Sequence, residues 1–118
     1  MKRITRLTLA LLTLVALASP AVVSAQAMSS VEPYKVGTFE INGAPTVGIV
    51  LRDALIIDLV AANTALEIDP MYPHVNSPAD MLELIGQYEY GLKDRIYEIV
   101  NNVVGNDLLG AGYVHRVE

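Results

Sequence analysis

The dipeptide Asn42-Gly43 constrains the fold more than any other feature of the 118-residue chain. It is the strongest short signal for a β-hairpin, because both central residues of a type I′ turn have positive φ. Residues 35–41 alternate loosely before it, and residues 46–51 alternate clearly after it. Three large aliphatic side chains share one face of the second segment: Val47, Ile49 and Leu51. The pattern therefore predicts two antiparallel strands joined by a two-residue turn.

A third strand is predicted to follow this hairpin. Residues 52–54 form a second tight turn, and residues 55–57 are a short apolar segment. Pro45 lies at the start of the second strand, where a missing N–H is tolerated. The three strands would form an antiparallel meander, which needs a layer of helices or another sheet to cover it.

Helix signals fill the rest of the chain. Asp58 is expected to cap a helix over residues 59–66, and residues 67–76 are expected to form a loop. Ser77 is predicted to be the N-cap of a second helix, with Pro78 at its first position and Gly86 at its end. The apolar face of this helix consists of four residues: Met81, Leu82, Leu84 and Ile85.

A longer helix is predicted over residues 88–104, because apolar residues recur at spacings of four, four, three and four. They are Tyr88, Leu92, Ile96, Ile99 and Val103, and Gly105 is expected to stop the helix. Residues 107–118 are less decided, and residues 113–117 are compatible with a strand. The predicted fold class is α+β: a small antiparallel β-meander packed with two or three short helices.

Residues 1–27 have the pattern of a secretory signal peptide. Lys2, Arg3 and Arg6 precede a 12-residue apolar stretch, which is too short to span a membrane. We expect cleavage after Ala27, with Ala25 as the alternative, and a periplasmic or secreted product without a membrane anchor. Because the chain has no Cys, disulfides, Cys-ligated zinc and thiol nucleophiles are excluded.

Export makes the product strongly acidic. Residues 1–27 contain three of the 8 basic residues and none of the 13 acidic ones, so residues 28–118 carry a net charge of about −8. Nucleic acid and anionic lipid surfaces attract Lys and Arg, so neither is an expected partner.

Few residues form a pattern typical of a reaction site. Glu67 and Asp69 could hold a hard divalent cation if they shared a face, but a solvated helix end is the favoured interpretation. His74 and His115 lie 41 residues apart, without metal-ligand spacing, and are expected at loop or surface positions.

Tyr90 could face a partner. The mature serines lie in no nucleophile motif: Ser29, Ser30 and Ser77. The sequence therefore assigns no catalytic, cofactor-binding or metal-binding residue.

Several short strings resemble the N-terminal domain of the fumarylacetoacetate hydrolase family. They are Lys35-Val36-Gly37-Thr38-Phe39-Glu40, Asn42-Gly43, Val47-Gly48-Ile49-Val50, Leu55-Ile56-Ile57-Asp58-Leu59, Ala61-Ala62-Asn63 and Asp80-Met81-Leu82-Glu83-Leu84-Ile85. The resemblance covers residues 35–117. It implies a separate C-terminal catalytic domain in which a Glu-x-Glu pair and an Asp bind Mg²⁺ or Mn²⁺. That metal polarises a β-dicarbonyl or 2-keto acid for C–C bond hydrolysis, decarboxylation, hydration or isomerisation.

Three functions follow as hypotheses. In the first, residues 28–118 are the N-terminal domain of an exported enzyme of this family, truncated or split from a catalytic domain that it meets in cis or in trans, and inactive alone. In the second, they form a freestanding periplasmic binding or assembly module that docks through its apolar helix face or Tyr90. In the third, they are a small enzyme that uses Glu67, Asp69 and His74. A homo-oligomer is compatible with each.

Overall fold

The computed structural model describes residues 28–117. The predicted signal peptide, residues 1–27, lies outside the described residues. The elements follow in this order: β1 (Tyr34–Ile41), β2 (Ala44–Leu51), β3 (Leu55–Asp58), α1 (Leu59–Leu66), α2 (Met81–Gln87), a 3-10 turn (Tyr88–Tyr90), α3 (Leu92–Gly105) and β4 (Val114–Arg116).

The strands form one antiparallel sheet in the order β1-β2-β3-β4. The meander predicted from the sequence is confirmed, and a fourth strand from the undecided C-terminal segment extends it. This strand pairs with β3, where Ile56 lies opposite His115. The Asp58 N–H also donates to the Tyr113 carbonyl at 2.8 Å. The α+β class is therefore confirmed, with a four-stranded sheet.

The β1–β2 hairpin has the geometry that Asn42-Gly43 predicts. Asn42 has φ 53° and Gly43 has φ 80°, and the strands pair from Ile41 opposite Ala44. Hydrogen-bonded and non-hydrogen-bonded pairs alternate along an antiparallel ladder, starting from the closing pair of the turn. Pro45, opposite Glu40, therefore lies at a non-hydrogen-bonded position, where its missing N–H costs the ladder nothing.

The core lies between one face of the sheet and the helices. Its buried members are all aliphatic: Val47, Ile49, Leu51, Leu55, Ile57, Leu59, Ala62, Leu66, Leu84, Leu92, Ile96, Ile99, Val100 and Val103. The alternation of β2 and the stripe of α3 supply many of these residues, as the sequence predicts, and β3, α1 and α2 supply the others. Burial of this apolar surface is the main stabilising contribution in a chain that has no Cys.

The first helix matches its prediction, but the second begins differently. The Asp58 carboxylate accepts from the Ala61 N–H at 3.2 Å and caps α1. The prediction that Ser77 caps α2 is wrong: Asp80 is the N-cap, and its carboxylate accepts from the Glu83 N–H at 2.9 Å. Asp80 caps the helix because its carboxylate bonds the Glu83 N–H, whereas the Ser77 hydroxyl accepts from Asn63 Nδ2 instead. Gly86 does not end α2, which continues to Gln87.

The single long helix predicted over residues 88–104 is also wrong at its start. A 3-10 turn covers Tyr88–Tyr90, and Gly91 has φ 110°, a left-handed conformation that separates this turn from α3. The apolar spacing runs through the break, because the 3-10 turn keeps Tyr88 against the core cluster. The other four residues of the predicted stripe are buried on α3: Leu92, Ile96, Ile99 and Val103.

Within residues 28–117, no helix has the length and apolar character that crossing a bilayer requires.

Candidate functional site

A buried arginine organises the polar groups around the loop of residues 67–76. The Arg95 side chain is 1% exposed and lies beside the core stripe of α3. Its Nη1 donates to Asn63 Oδ1 at 2.7 Å and to Glu67 Oε2 at 2.8 Å. Its Nε donates to Glu98 at 3.1 Å, and Nη2 donates to the Pro73 carbonyl. Arg95 therefore ties α1 and the loop to α3.

Glu67 is the anionic centre of this network. Its side chain is 18% exposed, and its carboxylate accepts from the Val75 N–H at 2.9 Å as well as from Arg95. The backbone bond from Val75, followed by the bond from His74, lowers the pKa of Glu67 to about 2. Glu67 lies at the end of α1, as predicted, but its carboxylate is only partly solvated because Arg95 and the Val75 N–H bind it.

His74 completes the network at the surface. Its Nδ1 pairs with Glu67 Oε1 at 2.9 Å, and its Nε2 pairs with Asn76 Oδ1 at 2.9 Å. The bonds to Glu67 and then Asn76 raise the pKa of His74, because two acceptors favour the imidazolium that donates to both. With both nitrogens bonded, the ring links Glu67 to Asn76 and helps to hold the loop.

The structure brings Glu67 and His74 together but leaves Asp69 apart. The Asp69 carboxylate accepts from the Met71 N–H at 2.9 Å, within its own turn. Among residues 28–117, no three His, Asp or Glu side chains converge as a metal site would require. His115 lies half-buried in β4.

Ser30 and Ser77 make structural hydrogen bonds. Ser77 Oγ accepts from Asn63 Nδ2 at 3.1 Å, and Ser30 Oγ donates to the Glu32 carbonyl at 2.7 Å. Neither contact activates an oxygen nucleophile, which requires an adjacent base.

A groove of about 480 Å³ lies between β1 and α2. We call it the β1 groove, and its lining residues are Tyr34, Lys35, Val36, Met81, Leu84, Ile85, Tyr88 and Glu89. The Tyr34 and Tyr88 hydroxyls are 2.7 Å apart and share one hydrogen bond. Burial, then the bond to Tyr88, raises the pKa of Tyr34, so this phenol stays neutral. The groove is thus lined mainly by aliphatic and aromatic side chains, and it includes a hydrogen-bonded pair of phenols.

The outer side of α2 is apolar and exposed. Leu82 is 80% exposed and Ile85 is 67% exposed, and residues three apart share a helix face. We call these two side chains the α2 face; Ile85 also lines the β1 groove. The prediction that all four apolar residues of α2 form a single packing face is therefore only half right, because Leu84 is buried and Met81 is half-buried.

Tyr90 is 88% exposed, beside a separate cavity of about 390 Å³ that His74 and Gln87 also line. That Tyr90 could face a partner stays a prediction. The phenol presents both an apolar ring and a hydroxyl there, which is typical of residues at protein interfaces.

No protein-family model, curated protein or solved structure matches the chain significantly.

Proposed function

We propose that residues 28–118 form a non-catalytic docking domain, the N-terminal domain of an exported enzyme of the fumarylacetoacetate hydrolase type. In this proposal the α2 face packs against the catalytic domain, either in the same polypeptide or in a second one. That catalytic domain would hold Mg²⁺ or Mn²⁺ and act on a β-dicarbonyl or 2-keto acid.

The exposure of the α2 face carries the proposal. Leu82 and Ile85 leave most of their apolar surface in water, next to an apolar groove. Burying a Leu or Ile side chain contributes about 1.5–3 kcal/mol, so covering both would stabilise a complex substantially. Apolar surface concentrated beside a groove is typical of an interaction site.

The engagement of the titratable groups is a second support. Glu67 and His74, the residues that a small enzyme would use, are bonded to each other and to the loop backbone. Asp69, the third member of that set, bonds within its own turn. Their arrangement favours a role in fixing the loop over a role in chemistry.

The partner class comes from the sequence resemblance. The strings that carry it lie on β1, β2, β3, α1 and α2, and the last of them includes both residues of the α2 face. A freestanding periplasmic binding or assembly module is the alternative. It would use the same face, or Tyr90, with a partner of another class.

Isothermal titration of the protein with a catalytic domain of this family tests the proposal. We expect saturable binding that Leu82→Asp and Ile85→Asp each weaken at least tenfold, because each places a charge in the apolar interface. Ile68→Asp is the matched control, since Ile68 is 81% exposed in the loop. Equal weakening by all three substitutions, or binding that ignores the α2 substitutions, would refute docking through this face.

A further inference from the structure

The outer edge of β1 carries backbone groups that have no strand partner among the described residues. Hydrogen-bonded and non-hydrogen-bonded pairs alternate along the β1–β2 ladder, starting from the closing pair of the hairpin. Every second residue of β1 therefore directs its N–H and C=O groups to this edge. These residues are Tyr34, Val36, Thr38 and Glu40. An open edge of this kind is the template on which an extended chain adds a strand.

The side chains of the same residues face the helix layer. Val36 lies opposite Ile49 and Tyr34 lies opposite Leu51, and both partners belong to the core. Opposed residues of an antiparallel pair project to the same face of a sheet. A strand added to β1 would therefore direct every second side chain over the β1 groove, toward Leu84 and Ile85.

In the register that pairs the whole edge of β1, a second copy of this chain fits poorly. Two antiparallel β1 strands of a symmetric dimer are related by a two-fold axis perpendicular to the sheet. This symmetry pairs even-numbered residues of one copy with even-numbered residues of the other. Centring the pair on Gly37 places Glu40 of one copy opposite Tyr34 of the other, and Thr38 opposite Val36. Polar side chains would then enter the apolar groove, and each carboxylate would be desolvated without a cation.

The charge of Glu40, near the C-terminal end of β1, indicates which residue type an added strand would place opposite it. Glu40 is exposed and forms no ion pair among the described residues. Lys35, the basic residue of β1, lies five residues from Glu40 and is paired with Asp53 at 2.8 Å. An incoming strand that places a basic residue opposite Glu40 would complement this charge, because opposite charges across strands attract.

We propose that β1 accepts an extended segment of the catalytic-domain partner as a fifth, antiparallel strand. The segment carries a basic residue opposite Glu40 and apolar residues opposite Val36 and Tyr34, which fill the β1 groove. This inference rests on the proposed docking function and adds its mode: backbone hydrogen bonds give affinity, and the alternate side chains give specificity.

A nine-residue fluorescein-labelled peptide, Gly-Lys-Ser-Thr-Ser-Leu-Ser-Leu-Gly, tests the proposal with the purified protein. Its Lys, Thr and two Leu residues match the four edge positions of β1. We expect saturable anisotropy changes, and at least tenfold weaker binding when the Thr and first Leu amides are N-methylated. Methylating the second and third Ser amides instead, which face away from β1, should leave binding unchanged.

Thr38→Pro provides the test on the protein side. It removes an edge N–H and no bond of the β1–β2 ladder, whereas Thr38→Val keeps the N–H. We expect Thr38→Pro alone to abolish peptide binding, with the circular dichroism spectrum checking that the variant is folded.

Three results would overturn the inference. They are no saturable peptide binding at millimolar concentration, equal binding by both methylated peptides, and a dimer of the protein that dissociates on Thr38→Pro.

If the peptide binds as expected but no catalytic domain of the family does, the edge site stands and the proposed function fails. If a catalytic domain binds through the α2 face and Thr38→Pro does not weaken it, the proposed function stands and the edge inference fails.

Discussion

Arg95 shows how one residue can decide the shape of a loop. A guanidinium removed from water is tolerated only when its donors are satisfied, and four acceptors surround this one. Those acceptors come from α1, the loop and α3, so the side chain fixes three segments at once. The sequence contains a weak signal for this burial, since Arg95 is three residues after Leu92 and four before Ile99 on the core stripe. Helical spacing alone cannot separate such a residue from an exposed one beside the stripe.

Replacing Arg95 should therefore destabilise the protein strongly. We expect Arg95→Leu to lower the free energy of unfolding by about 3–5 kcal/mol, because the acceptors of α1 and the loop lose their charged donor in a buried setting. Urea denaturation followed by circular dichroism measures the change. Lys93→Leu on the same helix is the control, since the Lys93 pair with Glu89 is at the surface. A loss for Arg95→Leu no larger than that for Lys93→Leu would contradict the role assigned to Arg95.

The Glu67–His74 pair should make stability depend on pH from both sides. Glu67 has a pKa lowered from 4.5 to about 2 in the folded protein, so its contribution is present above pH 4.5 and is lost as the pH falls toward 2. His74 has a raised pKa, so its contribution is present below its ordinary value of 6.5 and is lost as the pH rises through the raised value. The pair therefore contributes most between about pH 4.5 and 6.5.

Urea denaturation at a series of pH values tests this dependence. The free energy of unfolding is plotted against pH for the unaltered protein and for Glu67→Gln. The difference between the two curves should be largest between pH 4.5 and 6.5. Asp69→Asn, two residues away and outside this network, is the matched control for the loss of a carboxylate. A difference for Glu67→Gln that is constant from pH 3 to pH 8 would show that the pair does not form.

At the scale of elements, the β1–β2 hairpin was predictable and the boundaries of the helices were less so. Asn42-Gly43 accepts positive φ at both positions, and few alternative structures compete with a type I′ turn there. Helix ends are decided by competition among neighbouring caps. Ser77 and Asp80 both fit an N-cap, and only tertiary contacts determine that Ser77 instead accepts from Asn63. Likewise, α2 has four apolar residues, but the sequence does not say which of them another element covers.

Two glycines of these elements should respond oppositely to substitution by Ala. A Cβ on Gly48 in β2 would lie 2.6 Å from Ile56 Cγ2 and 3.0 Å from Phe39 Cδ2, so Gly48→Ala should destabilise by about 1–3 kcal/mol. A Cβ on Gly86 in α2 meets nothing within 4 Å, so Gly86→Ala should stabilise by about 0.5–1 kcal/mol through the higher helix propensity of Ala. Thermal denaturation of both variants checks the signs, and a stabilised Gly48→Ala would contradict the close packing on this face of the sheet.

At the scale of the whole molecule, helices cover one face of a four-stranded sheet, while β1 and α2 leave an open edge and an apolar groove. The sequence predicted the sheet and the core stripe from periodicity. It did not predict the β1 groove, because a gap between β1 and α2 depends on how residues more than 40 positions apart pack. The proposed docking function connects these two uncovered features and the α2 face in one surface, to which a catalytic domain would bind.

Hydrogen–deuterium exchange of the protein, alone and with a catalytic domain of the fumarylacetoacetate hydrolase family, tests this account most directly. Backbone amides exchange slowly where a partner covers or bonds them. We expect slower exchange in the complex for the amides of α2 and for the β1 amides that point to the open edge. The exchange rates of residues 67–76 should not change. Slower exchange confined to that loop, or no change at α2 on addition of a saturating catalytic domain, would contradict it.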